Sequence, residues 1–561
     1  MRPGDTDIGE SRDPTGIFVS RAPVLYPFLA AIFPIVSVLS SNAPGVPLSD
    51  VTIPILGMIG ATTLVWFTLG PILRDRLKRG LMLLGLIALF WSYGPVLDMI
   101  RATLHYRETL SGLRILPFAL FEFSIATGLF MYLRRTRRSL TGLTRFLNTA
   151  SALGVALAMA SATYDYGRAA ALSAFSSLEP SVAAASKGES RDIVYIIADA
   201  YGRHDVLRDL YGYDNTAFVE ALEARGFYVA RNSRANYNAT RFSVASSLNY
   251  RYVEGLAIEL GGDYSPAQLV RQNRLFGYLK ERGYRFVSFA TGHSDTEMLE
   301  VDEYLAPRGH VSEFQQTLMD ATPLRSVMNR LRSRKAAEYG PRSSVHDAHR
   351  ARVLFALKGL REMKWTDGPE FVFTHIISPH WPFVLDEFSN PVYPAIRYNL
   401  SVDYPDWEKP TLEEFTEGYR KQVQGLNRLL LETIDAVQQD NPDAIIILQG
   451  DHGPRRRTIL PEPGPWETYA REELAILNAY YLPGVDAEEL LYPEISPVNT
   501  FRVILNAYFQ ENLPLLEDRS YLWVHLDSTL YPVPPAMIDG APSDEQNASE
   551  RVAARLDAAA N

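Results

Sequence analysis

The chain contains no cysteine, which excludes disulfides, thiolate metal sites and a cysteine nucleophile together. Basic residues are in the minority, 55 Lys and Arg against 65 Asp and Glu, and the formal net charge of −10 removes any general electrostatic case for nucleic-acid binding. The same charge repels a phosphate-bearing substrate unless a metal or local arginines reverse it. No internal repeat is present. No cleavable leader pattern precedes the first apolar stretch, because residues 1–21 are polar and mix Asp and Glu with Arg.

Charge is also missing locally. Five windows in the first third, 22–49, 51–73, 80–97, 115–133 and 146–164, are uncharged apart from Glu122. Each can hold a helix of roughly 17 to 25 residues, the length that crosses a bilayer. Five in succession with short basic connections predict a transmembrane bundle over 22–165 rather than buried helices of a soluble protein. Arg74, Arg76, Lys78 and Arg79 follow the second window, and Arg134, Arg135, Arg137 and Arg138 follow the fourth, whereas 42–50 has no basic residue. The positive-inside rule then predicts a cytoplasmic N-terminus, 1–21, and an extracytoplasmic remainder. Glu122 has two readings, a polar path or a carboxyl bonded to a neighbouring helix.

Residues 166–190 are small and polar enough for a linker. After them the pattern changes to apolar runs alternating with amphipathic stretches. Asp192–Ala198, Arg285–Ala290, Phe371–Ile377, Ala444–Gln449 and Ile476–Leu482 read as strands. Thr216–Arg225, Leu275–Arg282 and 415–439 read as helices, the first two ended by Gly226 and Gly283. The alternation predicts an α/β domain over 191–535, a mainly parallel sheet sandwiched by helices, with a mobile tail over 536–561.

In such sheets chemistry sits at the carboxyl ends of the strands. Asp199 ends I-I-A-D-A-Y-G-R, and Asp451-His452-Gly453 ends I-I-I-L-Q-G-D-H-G. Two carboxylates and an imidazole at one sheet edge suit a divalent cation, zinc or manganese. Asp199 alone reads equally well as a helix cap or turn residue. Thr240, in Y-N-A-T-R-F-S-V-A-S-S-L-N, is either the passive end of the glycosylation acceptor Asn238-Ala239-Thr240 or a nucleophile. A threonine hydroxyl attacks only after losing a very weakly acidic proton, which metal coordination makes feasible. At the start of a helix it would also lie where backbone N–H groups hold an anionic ester.

The order of strand-Asp, helix-start Thr, P-H-W-P-F and strand-Asp-His-Gly resembles the alkaline phosphatase/sulfatase superfamily. With five membrane helices in front, it is most similar to membrane-anchored sulfatase-like transferases, the lipoteichoic acid synthases and lipid A phosphoethanolamine transferases. The resemblance implies one metal held by Asp199, Thr240, Asp451 and His452, with Thr240 as the residue covalently substituted. It places His380 near the transferred group or leaving oxygen, a position a core or loop histidine fills equally well. Arg241, Ser243 and Arg455 are candidates for holding ester oxygens, although Arg455–Arg457 also reads as a solvated face. Sulfatases carry C-x-P-S-R and convert that cysteine to formylglycine. Aligned on A-S-S-L-N-Y, 245–250, this chain has Thr240 at the catalytic position and Val244 where sulfatases have Arg. The first ligand is Asp, as in sulfatases and phosphodiesterases, where many of the transferases have Glu. The D-x-x-x-H segment of two-metal phosphodiesterases is absent, and His204, His293, Asp295, Asp347 and His349 are weaker extra ligands.

The resemblance therefore implies a transferase of the inner membrane, with its catalytic domain periplasmic or extracellular. It would move a phosphoethanolamine or phosphoglycerol group from a phospholipid to an envelope glycan or lipid through phosphothreonine. The alternatives are a phosphodiesterase or sulfuric ester hydrolase of the same superfamily, and a catalytically inactive membrane scaffold.

Overall fold

The computed structural model describes residues 23–43, 46, 48–103, 112–176, 190–260, 265–308, 311–327, 344–394, 409–456, 466–524 and 529–539. The chain forms two compact units. The first draws on five helices: α1 Tyr26–Asn42, α2 Leu48–Thr68, α3 Arg76–Thr103, α4 Gly112–Arg135 and α5 Thr141–Ser176. Among the described residues three stretches are long and apolar enough to cross a membrane, Asp50–Thr68, Arg76–Ile100 and Thr141–Arg168, and Tyr26–Ser41 is apolar but shorter. Their large side chains face outward: Ile53, Leu56, Leu64 and Phe67 of α2 are each more than 60% exposed. Such a surface belongs in lipid, and the chain is a membrane protein. Helix ends in such a unit need internal partners. Asn148 of α5 supplies one, accepting from the Leu25 and Tyr26 N–H groups at the head of α1 and donating to Pro23 O.

α5 does not stop at 165. It continues to Ser176, into the segment expected as linker, because G-R-A-A-A-L-S-A-F-S is rich in alanine, the strongest helix former. Residues 177–189 lie outside the described ones.

The second unit is built on a seven-stranded sheet. Its strands are β1 Ile193–Ala198, β2 Tyr228–Val229, β3 Arg285–Phe289, β4 Glu303–Leu305, β5 Glu370–Ile376, β6 Ile445–Gln449 and β7 Asn478–Tyr481, in the order β2-β7-β6-β1-β5-β3-β4. The five strands from β6 to β4 are parallel, and β7 runs antiparallel to both neighbours, so the sheet is mixed. The apolar runs follow from burial on two sides. Val194, Ile196 and Ala198 pack on one face with the long helix Leu412–Asp440, while Ile193, Tyr195 and Ile197 pack on the other with α8, Thr240–Leu248. Between β1 and α8 lie α6 His204–Tyr211 and α7 Thr216–Glu223. Gly226 and Gly283 close the helices before β2 and β3 at φ of +82° and +80°, a region that favours glycine. A hairpin, β8 Ser520–Val524 and β9 Thr529–Val533, completes the strands. The packed chain includes Pro535–Asp539, where Met537 and Ile538 are buried.

Helix Ser344–Arg361 buries two histidines, His346 and His349. Burial pushes His346 down from 6.5 to about 4, with the Arg350 charge adding to it, and pushes His349 well below the ordinary value. Both are neutral in the fold, and the unfolded chain takes up their protons as pH falls through 6.5. Stability is therefore complete above that value and is lost toward pH 4, with a slope of up to about 1.4 kcal/mol per pH unit for each histidine. Thermal unfolding of the detergent-solubilised chain should show Tm falling between pH 7 and pH 5, and His346→Gln should make that acid limb shallower.

Candidate metal centre and nucleophile

The site follows from strand register. Ile197 of β1 pairs with Gln449 of β6, so two residues further on Asp199 stands opposite Asp451. Ile197 also pairs with His375 of β5, and the Asp199 N–H donates to Ile376 O. His452 follows Asp451, and its Nδ1 lies 2.7 Å from Gly453 O. A carbonyl only accepts, so Nδ1 carries the proton and Nε2 is left as a lone-pair donor. Gly453 is required by close approach: a Cβ there would lie 1.9 Å from Glu472 O.

Thr240 is the first residue of α8, entered from an extended Ala239. Its Oγ1 lies 3.3 Å from His452 Nε2. The loop before it is tied down by Asn238, which is fully buried. Asn238 Nδ2 donates to Glu473 Oε2 at 2.7 Å, and its Oδ1 accepts from the Trp523 N–H at 2.7 Å. An asparagine held on both sides in the interior is no attachment point for a glycan in the folded protein. The Thr240 and Arg241 N–H groups open α8 ahead of those of Phe242 and Ser243, which bond to Ala239 O at 3.0 Å each, a disposition suited to an anion.

Among the described residues, Asp199, Asp451 and His452 form the one group of three acidic or imidazole side chains that could hold a metal, and their ligand atoms lie within 4.8 Å of one another. His452 Nε2 is 3.6 Å from Asp199 Oδ1 and 3.6 Å from Asp451 Oδ2. Ligands bonded to zinc at about 2.0 Å in a tetrahedron stand about 3.3 Å apart. Both carboxylate oxygens are buried, and among the described residues neither accepts a hydrogen bond. Asp451 Oδ1 is satisfied by the Ala200 N–H at 3.1 Å. Burial pushes Asp199 up, but the neighbouring imidazoles of His380, His375 and His452 outweigh it and hold the carboxyl below its ordinary range. Two unsatisfied buried anionic oxygens converging on one imidazole fit a cation.

His380 is buried, its ring centroid 6.3 Å from that of His452. Its Nδ1 donates to Trp381 O, which leaves Nε2 as the lone-pair nitrogen that can accept a proton. Burial lowers its pKa and Asp199 opposes the shift, with a net lowering. Ser243 is buried one helical turn after Thr240 on the same face of α8. Arg241 lies on the rim, 3.6 Å from Asp295 and stacked over Trp523 at 5.0 Å. Arg455 is half-buried, and its neighbour Arg456 pairs with Glu472 at 3.2 Å; Arg457 lies outside the described residues.

Of the weaker extra ligands, Asp347 is paired with Arg350 and Asp295 with Arg241. His204 heads α6, His349 sits in helix Ser344–Arg361, and His293 belongs to the turn after β3. None of the five joins the metal group. Sequence reasoning missed His375, Thr296, Glu472 and Glu473. Glu472 is fully buried, and burial pushes it up to about 8 against the pull of Arg456. The available signal for His375 was a histidine inside an otherwise apolar strand, five residues before His380.

Residues 191–483 match the Sulfatase family model. No curated protein matches the chain. Solved structures similar to it include the C-terminal periplasmic domain of EptC from Escherichia coli in complex with Zn (13% identity, 64% of this chain, 97% of that chain, TM-score 0.40). Others are the C-terminal periplasmic domain of phosphoethanolamine transferase EptC from Campylobacter jejuni (13%, 59%, 92%, 0.34) and the lipoteichoic acid synthase LtaP from Listeria monocytogenes (11%, 70%, 97%, 0.37). Likeness at this level assigns no activity.

The Gly453 contact is testable. Gly453→Ala should destabilise the protein by about 1–3 kcal/mol through overpacking against backbone. Gly368→Ala, where a Cβ meets nothing within 4 Å, should leave Tm unchanged in the same thermal-unfolding series.

Proposed function

The chain belongs to the Sulfatase family, enzymes acting on sulfate or phosphate esters, and from that premise we propose a membrane-anchored phosphotransferase that works through a threonine. The observation that carries the proposal is Thr240 Oγ1 at 3.3 Å from His452 Nε2, at the first turn of α8 and beside two buried carboxylates. With no cysteine in the chain, the formylglycine route to sulfate ester hydrolysis from that residue is closed, and an unmodified hydroxyl must attack.

Asp199, Asp451 and His452, with Thr240 itself, would hold one divalent metal, zinc or manganese. Bound there, it would acidify the hydroxyl and neutralise charge on the ester oxygens. Thr240 Oγ attacks the phosphorus of a phosphodiester in line, and the bond to the lipid alcohol breaks. His380 Nε2 would carry the proton from the hydroxyl to the leaving alcohol, and accept one from the incoming acceptor in the second half. The N-terminal N–H groups of α8, with Arg241, Ser243 and Arg455, serve the ester oxygens. The donor is a phospholipid carrying phosphoethanolamine or phosphoglycerol, and the acceptor an envelope glycan or lipid. Five crossings, with the basic loops after α2 and α4 on the cytoplasmic side, would put the catalytic unit on the outer face, where the anchor would raise the effective concentration of a lipid donor.

Two outcomes check this proposal. With phospholipid labelled in its diacylglycerol, purified protein should release diacylglycerol only when acceptor is present; release into water alone identifies a hydrolase. Thr240→Ala should lower turnover by about a thousandfold or more, as for loss of a nucleophile, without changing Tm. Unchanged turnover in that variant would identify a different nucleophile, and no turnover in the native chain would identify a scaffold.

A further inference from the structure

His375 takes no part in the mechanism above, yet its ring is fully buried against the metal group. Its Nε2 stands 3.4 Å from Asp199 Oδ2, the oxygen on the far side of the carboxylate from His452. Its Nδ1 lies 2.7 Å from Thr296 Oγ1. Thr296 is fully buried too and belongs to the loop that follows β3. That loop reaches His375 because β3 and β5 are neighbours, Ser288 pairing with Phe373. It is fixed by Glu297, whose carboxylate accepts from Thr291 Oγ1 and the Gly292 N–H, each at 2.7 Å, and from Tyr304.

Proton placement follows from these contacts. A carboxylate only accepts, so the contact with Asp199 is attractive when Nε2 carries the proton. In neutral imidazole Nδ1 is then the acceptor, and Thr296 must donate to it. The alternative acceptor for that hydroxyl, His293 O, is 3.5 Å away, far longer than 2.7 Å. Thr296 O–H donates to His375 Nδ1, and His375 Nε2, which among the described residues makes no hydrogen bond, faces Asp199 Oδ2 as its nearest anionic oxygen at 3.4 Å. This leaves Asp199 Oδ1 turned toward His452 and Asp451.

We propose that His375 is a positioning residue for Asp199, holding the carboxylate by one oxygen so that the other faces the metal, and that Thr296 sets the tautomer in which it does so. The inference rests on the reading that Asp199, Asp451 and His452 bind a metal. Outer partners of this kind orient a ligand and contribute to metal affinity.

The test is a zinc titration, by competition with a chelating dye, of the full-length chain in detergent and of three variants, with Tm recorded for each. His375→Leu should weaken zinc by about 10–100-fold, Thr296→Val should weaken it by less, and His375→Gln, which can keep an N–H near the Nε2 position, should restore most of the loss. Rescue by Gln separates positioning from mere filling of space. Zinc affinity unchanged in Thr296→Val, or His375→Gln as weak as His375→Leu, overturns the proposal. If His375→Leu does not fold, Thr296→Val and His375→Gln decide it alone, with weakened and near-native affinity respectively expected. A native chain that binds no zinc overturns the metal reading and this role with it, whereas a zinc-binding native chain with unaltered variants overturns this role only.

Discussion

Asp199 and Asp451 end adjacent parallel strands in register, and both carboxylates are buried. Removing an ion from water costs several kcal/mol unless partners compensate it, so the surroundings of this pair are tightly constrained. The Ala200 N–H takes one oxygen of Asp451, His375 stands against one oxygen of Asp199, and His452 faces the remaining two. Even the turn after β1 is shaped to this end. Ala200 adopts a φ of +62°, unusual for a residue with a side chain. Tyr419, from the opposite layer, holds that turn by donating to Ala200 O and accepting from the Gly202 N–H. Thr240 enters the same space from a third element, with its Oγ1 3.3 Å from His452 Nε2.

The parts legible in the sequence were those that obey local rules. Strands buried on both faces appear as unbroken apolar runs, and residues just past their carboxyl ends are displayed at the sheet edge, so Asp199, Asp451 and His452 stood out. Gly226 and Gly283 marked helix ends because few other residues adopt their backbone angles. What could not be read was the pairing of distant elements. Thr296 and His375 are 79 positions apart, and nothing in either neighbourhood announces their contact. Asn238 fits a surface glycosylation pattern by its neighbours, yet Glu473 and the β8 strand bury it. The antiparallel course of β7 left no trace in its composition. Arg241 shares its guanidinium with Asp295 and Trp523, contacts that a count along the chain cannot show.

The two units answer to different solvents. In α2 the large apolar side chains point outward, while β1, β5 and β6 bury every residue. The proposed chemistry would draw on both, an apolar unit suited to lipid and a buried group of charged side chains. Asp199, Asp451 and His452 are held in place there by the fold itself, which spares the reorganisation that water would require.

The central claim is that Thr240 becomes covalently substituted. Intact-protein and peptide mass spectrometry of the full-length chain, incubated with phospholipid and zinc but no acceptor, tests it directly. The account predicts a mass increase equal to the transferred phospho-alcohol, mapped to the peptide containing Thr240 and discharged when acceptor is added. Turnover with no adduct, or an adduct on any other residue, would contradict it.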